Sequence, residues 1–166
     1  MAAVEGAGTG ASRDFTSRDA PGRAHTRALW HSRGAPMVTR AHEELAFTIE
    51  ELGALRALVA RVAARTSLET ARTYDLVLAV NELASNSVLH GGGEGVLYVW
   101  VEDLTLQCEV RDRGYMREQA SATQCPPATE CGGRGLWLAD RLCDGLRISS
   151  SPATGCSVRV HMRLSA

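Results

Sequence analysis

The run from Leu68 to His90 constrains the fold of this chain more than any other segment. It lacks both Gly and Pro, and its apolar residues recur at the three- and four-residue spacing of an amphipathic helix. The residues expected to face a core are Leu76, Val77, Val80, Leu83, Ala84 and Val88. The pattern therefore predicts one long helix that contributes its apolar side to the core of a domain.

Glu82, Asn86 and His90 form a second stripe on the same helix, because residues four apart lie on one face. Three consecutive glycines, at positions 91–93, follow directly. A carboxylate, a carboxamide and an imidazole in line beside a glycine turn are typical of a polar site. The alternative is a capped amphipathic helix whose polar residues are simply solvated.

Two later segments favour the polar site. Asp112 follows an alternating run, Leu104 to Val110, so it is predicted to lie at or just past the end of a strand. Glycines in the segment 132–135 precede another helical pattern. Backbone N–H groups at a helix N-terminus, together with the helix dipole, favour a bound anion.

In this order and at these distances, three segments resemble the N, G1 and G2 boxes of the histidine-kinase-like ATPases: LVLAVNELASNSVLHGG, EVRDRG and GGRGLWLADRLCD. Within that superfamily the chain resembles the bacterial anti-sigma factor and serine-protein kinase branch. The resemblance covers about residues 45–164. It implies a Bergerat-type fold that binds ATP together with Mg²⁺.

The resemblance assigns the catalytic role to Glu82, which would accept the proton of an attacking hydroxyl. Sensor histidine kinases usually carry Asn at this position, whereas serine-kinase relatives usually carry Glu. Asn86 would give a carbonyl oxygen to Mg²⁺, which prefers oxygen ligands and keeps several waters. Asp112 would accept a hydrogen bond from the adenine amino group, and the alternative for Asp112 is a structural Asx turn.

The phosphates would be wrapped by the main-chain N–H groups of Gly132, Gly133 and Gly135, with Arg134 neutralising their charge. The alternative for this segment is a flexible loop that caps a helix. A loop of that kind explains the presence of glycine, but it does not explain three glycines within four residues.

The resemblance completes the nucleotide-binding set with Gly114, Leu136, His90 and Ser157. Gly114 would let the backbone pass close to the base. Ser157 lies where relatives place a small hydroxyl residue near the base. His90 would either face the phosphates or end its helix favourably, and the sequence leaves both alternatives open.

As a function, the resemblance implies an ATP-dependent serine/threonine kinase that phosphorylates an antagonist (anti-anti-sigma) protein and sequesters a partner such as a sigma factor. Relatives often dimerise, so a homodimer is also considered. Three alternatives remain: a nucleotide-gated binding module without kinase activity, the catalytic half of a sensor histidine kinase, and a glycine-rich domain without a ligand. Glu82 argues against the histidine kinase.

Composition argues against other function classes. A formal net charge of −1 disfavours direct binding to nucleic acid, which normally requires a basic surface. No apolar run approaches the length of a membrane span, and the N-terminal segment has no apolar signal core. Five cysteines without a Cys-x-x-Cys pair fit reduced thiols, so a cytoplasmic location is expected. Cys108, Cys143 and Cys156 lie in apolar patterns and are predicted to be core residues.

The chain is predicted to comprise a disordered tail, residues 1–40, and one ATP-binding domain, residues 41–166. The polar segment 115–131 would be the nucleotide lid, in which Met116 replaces a glycine found in many superfamily members. The expected fold class is α+β, a two-layer sandwich with helices on one face of a mostly antiparallel mixed sheet.

Within the domain, helices are expected over 50–65, 68–90 and 136–143, and strands over 95–101, 104–111, 146–150 and 157–164. The segment 45–49 is either a short edge strand or the approach to the first helix. Ser67 is the expected N-cap of the long helix. Glu102 and Asp103 are expected to form the turn of a hairpin.

Overall fold

The computed structural model describes residues 42–116 and 134–165. These residues form three helices and five strands in the order β1 (Glu43–Phe47), α1 (Leu52–Ala63), α2 (Thr70–His90), β2 (Gly95–Glu102), β3 (Thr105–Asp112), α3 (Arg134–Leu142), β4 (Gly145–Ser151) and β5 (Gly155–Arg163). The predicted tail, most of the predicted lid, Gly132 and Gly133 lie outside the described residues.

The five described strands form one sheet in the order β1-β2-β3-β5-β4, and each neighbouring pair is antiparallel. One face of this sheet packs against the helices, where strand residues such as Leu97, Val110 and Val160 join Leu55 and Leu83 in a single core. The predicted α+β two-layer sandwich is therefore confirmed, with a wholly antiparallel sheet among the described strands in place of a mixed one.

The predicted long helix is α2, which packs against both other helices and against the sheet. Its buried residues are Leu76, Ala79, Val80, Leu83, Ala84 and Ser87. Val77 and Val88, predicted to be core residues, are only partly buried. Ser87 takes a core position because it lies four residues after Leu83, on the same side of the helix.

The start of α2 differs from the prediction. Its N-cap is Glu69, whose backbone is extended and whose side chain makes no capping hydrogen bond. The prediction that Ser67 caps the helix is wrong, because Ser67 precedes the first helical residue by three positions and is too early to reach its free N–H groups. The Ser67 hydroxyl instead donates a 2.6 Å hydrogen bond to the carbonyl of Ser165.

The structure assigns the ambiguous segment near residue 45 and moves the predicted turn between β2 and β3 by one residue. The segment near residue 45 is the edge strand β1, which pairs with β2. The hairpin between β2 and β3 turns at Asp103 and Leu104, with φ angles of 45° and 57°, one residue later than predicted. Two positive φ angles are typical of a type I′ turn, which suits the twist of a two-residue hairpin.

Candidate nucleotide-binding site

Three elements converge where the sequence predicts a polar site: the second half of α2, the end of β3 and the first turn of α3. α2 packs against both β3 and α3. We call the group of residues at this junction the α2–β3–α3 site, and it consists of Glu82, Asn86, Ser87, Gly91, Asp112, Gly114 and Gly135.

Asp112 is the last residue of β3, in agreement with the sequence pattern. Its Oδ2 accepts a 2.5 Å hydrogen bond from the Ser87 hydroxyl, and its Oδ1 accepts a 2.8 Å hydrogen bond from the Gly114 N–H. The Gly114 contact is the Asx turn considered as the structural alternative. It leaves room for a ligand, because each carboxylate oxygen has two lone pairs and only one is used here.

Gly91 allows α2 and β3 to approach each other at this point. A Cβ atom on Gly91 would lie 2.4 Å from Cγ of Asp112, so no larger residue fits unless the Asp112 carboxylate moves. The φ angle of Gly91 is −97°, so space rather than a left-handed backbone requires the glycine. The Gly91 N–H donates to the Ser87 carbonyl at 2.7 Å, and the Gly91 carbonyl accepts from the Arg113 N–H at 3.2 Å.

The first turn of α3 lies against the polar stripe of α2. A Cβ atom on Gly135 would lie 2.8 Å from Nδ2 of Asn86 and 3.3 Å from Oε2 of Glu82. Glu82 and Asn86 are both half-buried, whereas Gly135 is buried. The two predicted reaction residues therefore lie beside a helix N-terminus, where the helix dipole favours an anion.

Two further predicted phosphate-binding residues, Arg134 and Leu136, lie in this turn. Arg134 is exposed as the first residue of α3, and the side chain of Leu136 packs against the hydrophobic core. The backbone N–H groups of these first residues have no partner within the helix, so they are the groups that a phosphate can engage. Gly132 and Gly133 directly precede α3 but lie outside the described residues.

His90 contributes to the site through its backbone. It is the last residue of α2, and its side chain is exposed. A Cβ atom on Gly114 would lie 3.0 Å from the His90 carbonyl oxygen and 2.8 Å from Cα of Gly91. The close approach at Gly114 is thus to the end of α2. The imidazole stands at the helix C-terminus, where a positive charge is favourable.

Ser157 is not brought to the α2–β3–α3 site. Its hydroxyl donates a 2.5 Å hydrogen bond to Oε1 of Glu109, on the sheet face opposite the helices. Cys156 is the residue that pairs with Asp112 in the register between β3 and β5. Because successive strand residues point to opposite faces, Cys156 shares the helix-covered face with Asp112, and Ser157 does not.

Cys156 therefore lies beside the Asp112 carboxylate. Burial raises the pKa of the Cys156 thiol to about 11, and the negative charge of Asp112 acts in the same direction. The thiol is consequently neutral at physiological pH and acts as a small apolar neighbour of Asp112. Cys108 and Cys143 are also buried, as predicted.

A second polar cluster occupies the opposite face of the sheet. We call it the Glu109 cluster, and it consists of Glu109, Arg111, Arg159, Ser157, Tyr98 and Trp100. Burial raises the pKa of Glu109, but hydrogen bonds from Arg111 and Ser157 and the charges of both arginines outweigh it, so the pKa is lowered overall. The guanidinium of Arg111 lies 4.9 Å from the Tyr98 ring centroid, and that of Arg159 lies 5.0 Å from the Trp100 ring centroid.

Sequence patterns do not identify two residues of the site, Ser87 and Gly91, or its neighbour Cys156. A signal for Ser87 is present in the sequence, because a serine at a core position of an amphipathic helix needs a buried hydrogen-bond partner. Gly91 looks like an ordinary residue of a glycine turn, and its contact with Asp112 follows only from the tertiary packing. Cys156 is identified by the strand register, which the sequence pattern leaves ambiguous by one residue.

Comparison with known proteins agrees with this geometry. The sequence matches the family described as the histidine kinase-like ATPase domain over residues 45–162, well over half of the chain. The chain belongs to this family. ATP is therefore the ligand that family membership implies, and the match spans α2, the end of β3 and α3.

One similar protein belongs to the anti-sigma branch that the sequence resembles. The chain is 25% identical over 139 residues to the anti-sigma F factor of Bacillus subtilis, and the match covers 78% of this chain and 95% of that protein. Its fold resembles the crystal structure of the RsbU and RsbW domains of a Mycobacterium tuberculosis protein, with a TM-score of 0.54 and 22% identity. That match covers 75% of this chain but only 33% of the solved chain.

The residues of the α2–β3–α3 site suit ATP and Mg²⁺ chemically. Asp112 keeps unused lone pairs that can accept from an amino group. Asn86 carries a side-chain oxygen of the kind that Mg²⁺ prefers, Glu82 carries a carboxylate that can accept a proton, and both lie next to a helix N-terminus that favours phosphate. The site therefore has chemically suitable groups for the base, the phosphates and the metal ion.

Proposed function

We propose that this protein is an ATP-dependent serine/threonine kinase of the anti-sigma type, which phosphorylates an antagonist protein and sequesters a partner such as a sigma factor. The observation that carries the proposal is the position of Glu82 and Asn86 against Gly135 at the start of α3. A carboxylate that can orient a hydroxyl and an amide oxygen that can bind Mg²⁺, both next to a helix N-terminus, are suited to phosphoryl transfer.

Glu82 orients the hydroxyl of the acceptor serine or threonine and accepts its proton. The hydroxyl oxygen then forms a bond to the γ-phosphorus while the bond to the β-phosphate oxygen breaks, and ADP is the leaving group. Glu82 is half-buried, so part of this residue remains accessible from solvent.

Asn86 holds Mg²⁺ through its side-chain oxygen. The metal ion, when bound, neutralises the charge of the phosphate oxygens. Arg134 and the backbone N–H groups of Gly132, Gly133, Gly135 and Leu136 bind the phosphates, in line with the anion preference of a helix N-terminus.

Asp112 accepts a hydrogen bond from the adenine amino group and Gly114 lines the base. We leave Ser157 out of this site because its hydroxyl is engaged by Glu109 on the other face of the sheet. Of the two alternatives for His90, we select the one in which it ends α2 and does not face the phosphates.

The proposal includes a homodimer and a cytoplasmic location without direct contact with nucleic acid or membrane. None of the described helices combines the length and hydrophobicity needed to cross a membrane. The cytoplasmic location itself rests on the cysteine pattern of the sequence.

The kinase activity is tested by replacing Glu82 and Asn86 separately. Glu82→Ala should bind Mg–ATP as the wild type does, yet transfer phosphate to antagonist proteins encoded beside it about 10²–10⁴-fold more slowly, since a general base contributes on that order. Asn86→Ala should lose both metal-dependent ATP binding and transfer. Single-turnover assays with labelled ATP and calorimetry measure the two effects.

Asp75→Ala is the matched control, because it removes another carboxylate of α2, seven residues before Glu82. This variant should transfer phosphate at the wild-type rate. If the wild type transfers no phosphate to any antagonist yet releases a bound partner when nucleotide is added, the protein is a nucleotide-gated binding module instead of a kinase.

A further inference from the structure

We propose that Ser87 is a positioning residue that determines the base selectivity of the nucleotide site by holding Asp112. This inference rests on the proposed binding of ATP at the α2–β3–α3 site. Ser87 is buried, with a relative exposure of only 3%. The proposed ATP site does not otherwise use this residue.

The Ser87 hydroxyl has two acceptors within reach but only one proton. Oδ2 of Asp112 lies 2.5 Å away, and the carbonyl oxygen of Leu83, one turn earlier in α2, lies 3.3 Å away. A serine inside a helix commonly donates to the carbonyl four residues before it. Here the shorter contact is to a charged acceptor, which forms the stronger hydrogen bond, so the proton is committed to Asp112.

The backbone fixes this contact from both sides. On the α2 side, the Gly91 N–H donates to the Ser87 carbonyl, and on the β3 side the Arg113 N–H donates to the Gly91 carbonyl. Two backbone hydrogen bonds therefore link Ser87, through Gly91, to Arg113, the residue next to Asp112. The hydrogen bonds from the Ser87 hydroxyl and the Gly114 N–H then set the orientation of the Asp112 carboxylate.

The two donors leave Asp112 as a pure acceptor toward the base. Oδ1 receives the Gly114 N–H and Oδ2 receives the Ser87 O–H, so only lone pairs remain for a ligand. Adenine presents an amino group, which donates to such a carboxylate. Hypoxanthine carries a carbonyl oxygen at the same position, so two acceptors would face each other, and its nucleotides should be rejected.

The test compares ADP with inosine diphosphate, which differs from ADP at the base alone. Calorimetry measures the affinity for each nucleotide, and the ratio of the ADP affinity to the inosine diphosphate affinity reports base selectivity. In Ser87→Ala this ratio should fall about tenfold, because one charge-assisted hydrogen bond to Asp112 is lost. The fall should come from weaker ADP binding. Ser85→Ala, a partly exposed serine of the same helix, is the matched control and should keep the wild-type ratio.

Ser87→Cys covers the case in which the alanine variant does not fold. A thiol has nearly the size of the hydroxyl but is a weak donor, so the affinity ratio should fall in the same direction. A merely structural role for Ser87 would lower the melting temperature but leave this ratio unchanged.

The outcomes separate this inference from the proposed function. If Asp112→Ala lowers the affinity ratio while both Ser87 variants keep it, Ser87 has no role in selectivity but the nucleotide site stands. If Asp112→Ala also keeps the wild-type ratio, Asp112 does not contact the base, and the site as proposed falls together with the inference.

Discussion

β3 carries two carboxylates that serve opposite faces of the sheet. Glu109 is only 4% exposed and accepts hydrogen bonds from Arg111, Arg159 and Ser157. Asp112, three residues later, accepts one serine hydroxyl and one backbone N–H. Within residues 42–116 and 134–165, no guanidinium pairs with Asp112.

The difference separates a carboxylate that stabilises the fold from one that is available to a ligand. Glu109 has its charge balanced by two arginines and its lone pairs largely used, so it gains little from any further partner. Asp112 is oriented by two donors but keeps both its charge and part of its acceptor capacity. Saturation by protein groups, rather than burial alone, distinguishes the two sides of the sheet.

The largest expected effect is a loss of stability in the variant Glu109→Gln. Removing the charge from a buried pair typically costs about 3–5 kcal/mol, but the partner side chains are 34% and 40% exposed, so about 2 kcal/mol is expected here. Urea denaturation measures the loss. ADP affinity should remain at the wild-type value, and a matching loss of ADP affinity would show that the two faces are not independent.

A smaller effect, centred on nucleotide binding, is expected for Gly91→Ala. The new Cβ would displace Asp112 from α2, costing about 1–2 kcal/mol of stability and about tenfold in ADP affinity. Gly93→Ala is the control, because Gly93 has a φ of +89° and open space around it. That variant should lose about 1 kcal/mol through backbone strain and bind ADP normally. Equal ADP affinity in both variants would contradict the role given to Gly91.

The smallest effect is a pH dependence that belongs to the Glu109 cluster. The folded-state pKa of Glu109 is lowered from its ordinary value of 4.5. Its stabilisation is therefore complete above the unfolded-state pKa and is lost as the pH falls through the folded-state value. Between pH 7 and about pH 3, the stability of the wild type should fall more steeply than that of Glu109→Gln. Parallel curves would mean that Glu109 does not titrate at a lowered pKa.

Local sequence patterns predict most of this fold because α2 and the hairpins carry strong periodic signals. The position of Asp112 at a strand end follows from the alternation of β3. The missed features depend on contacts distant in sequence. Ser67 is a residue type that is preferred at N-caps. Its hydroxyl instead donates to the carbonyl of Ser165, 98 residues away.

The site itself was predictable as a set of segments but not as a set of contacts. Family resemblance supplied Glu82, Asn86 and Asp112 because these residues fall within recognisable motifs. The resemblance implies a role for the Ser157 hydroxyl near the base, but the strand register places Ser157 on the opposite face of the sheet. A shift of one residue in the strand register moves a side chain to the opposite face of the sheet. A motif alone therefore does not determine the face on which a strand residue lies.

The central claim, that Asp112 is the carboxylate available to a ligand, is tested most directly by calorimetry of ADP binding to Asp112→Ala. Circular dichroism and a melting curve provide the control for folding. Loss of the base contact should weaken ADP binding about ten- to a hundredfold, since a buried hydrogen bond to a charged group is worth about 1.5–3 kcal/mol. A folded Asp112→Ala variant that binds ADP as tightly as the wild type would contradict the claim.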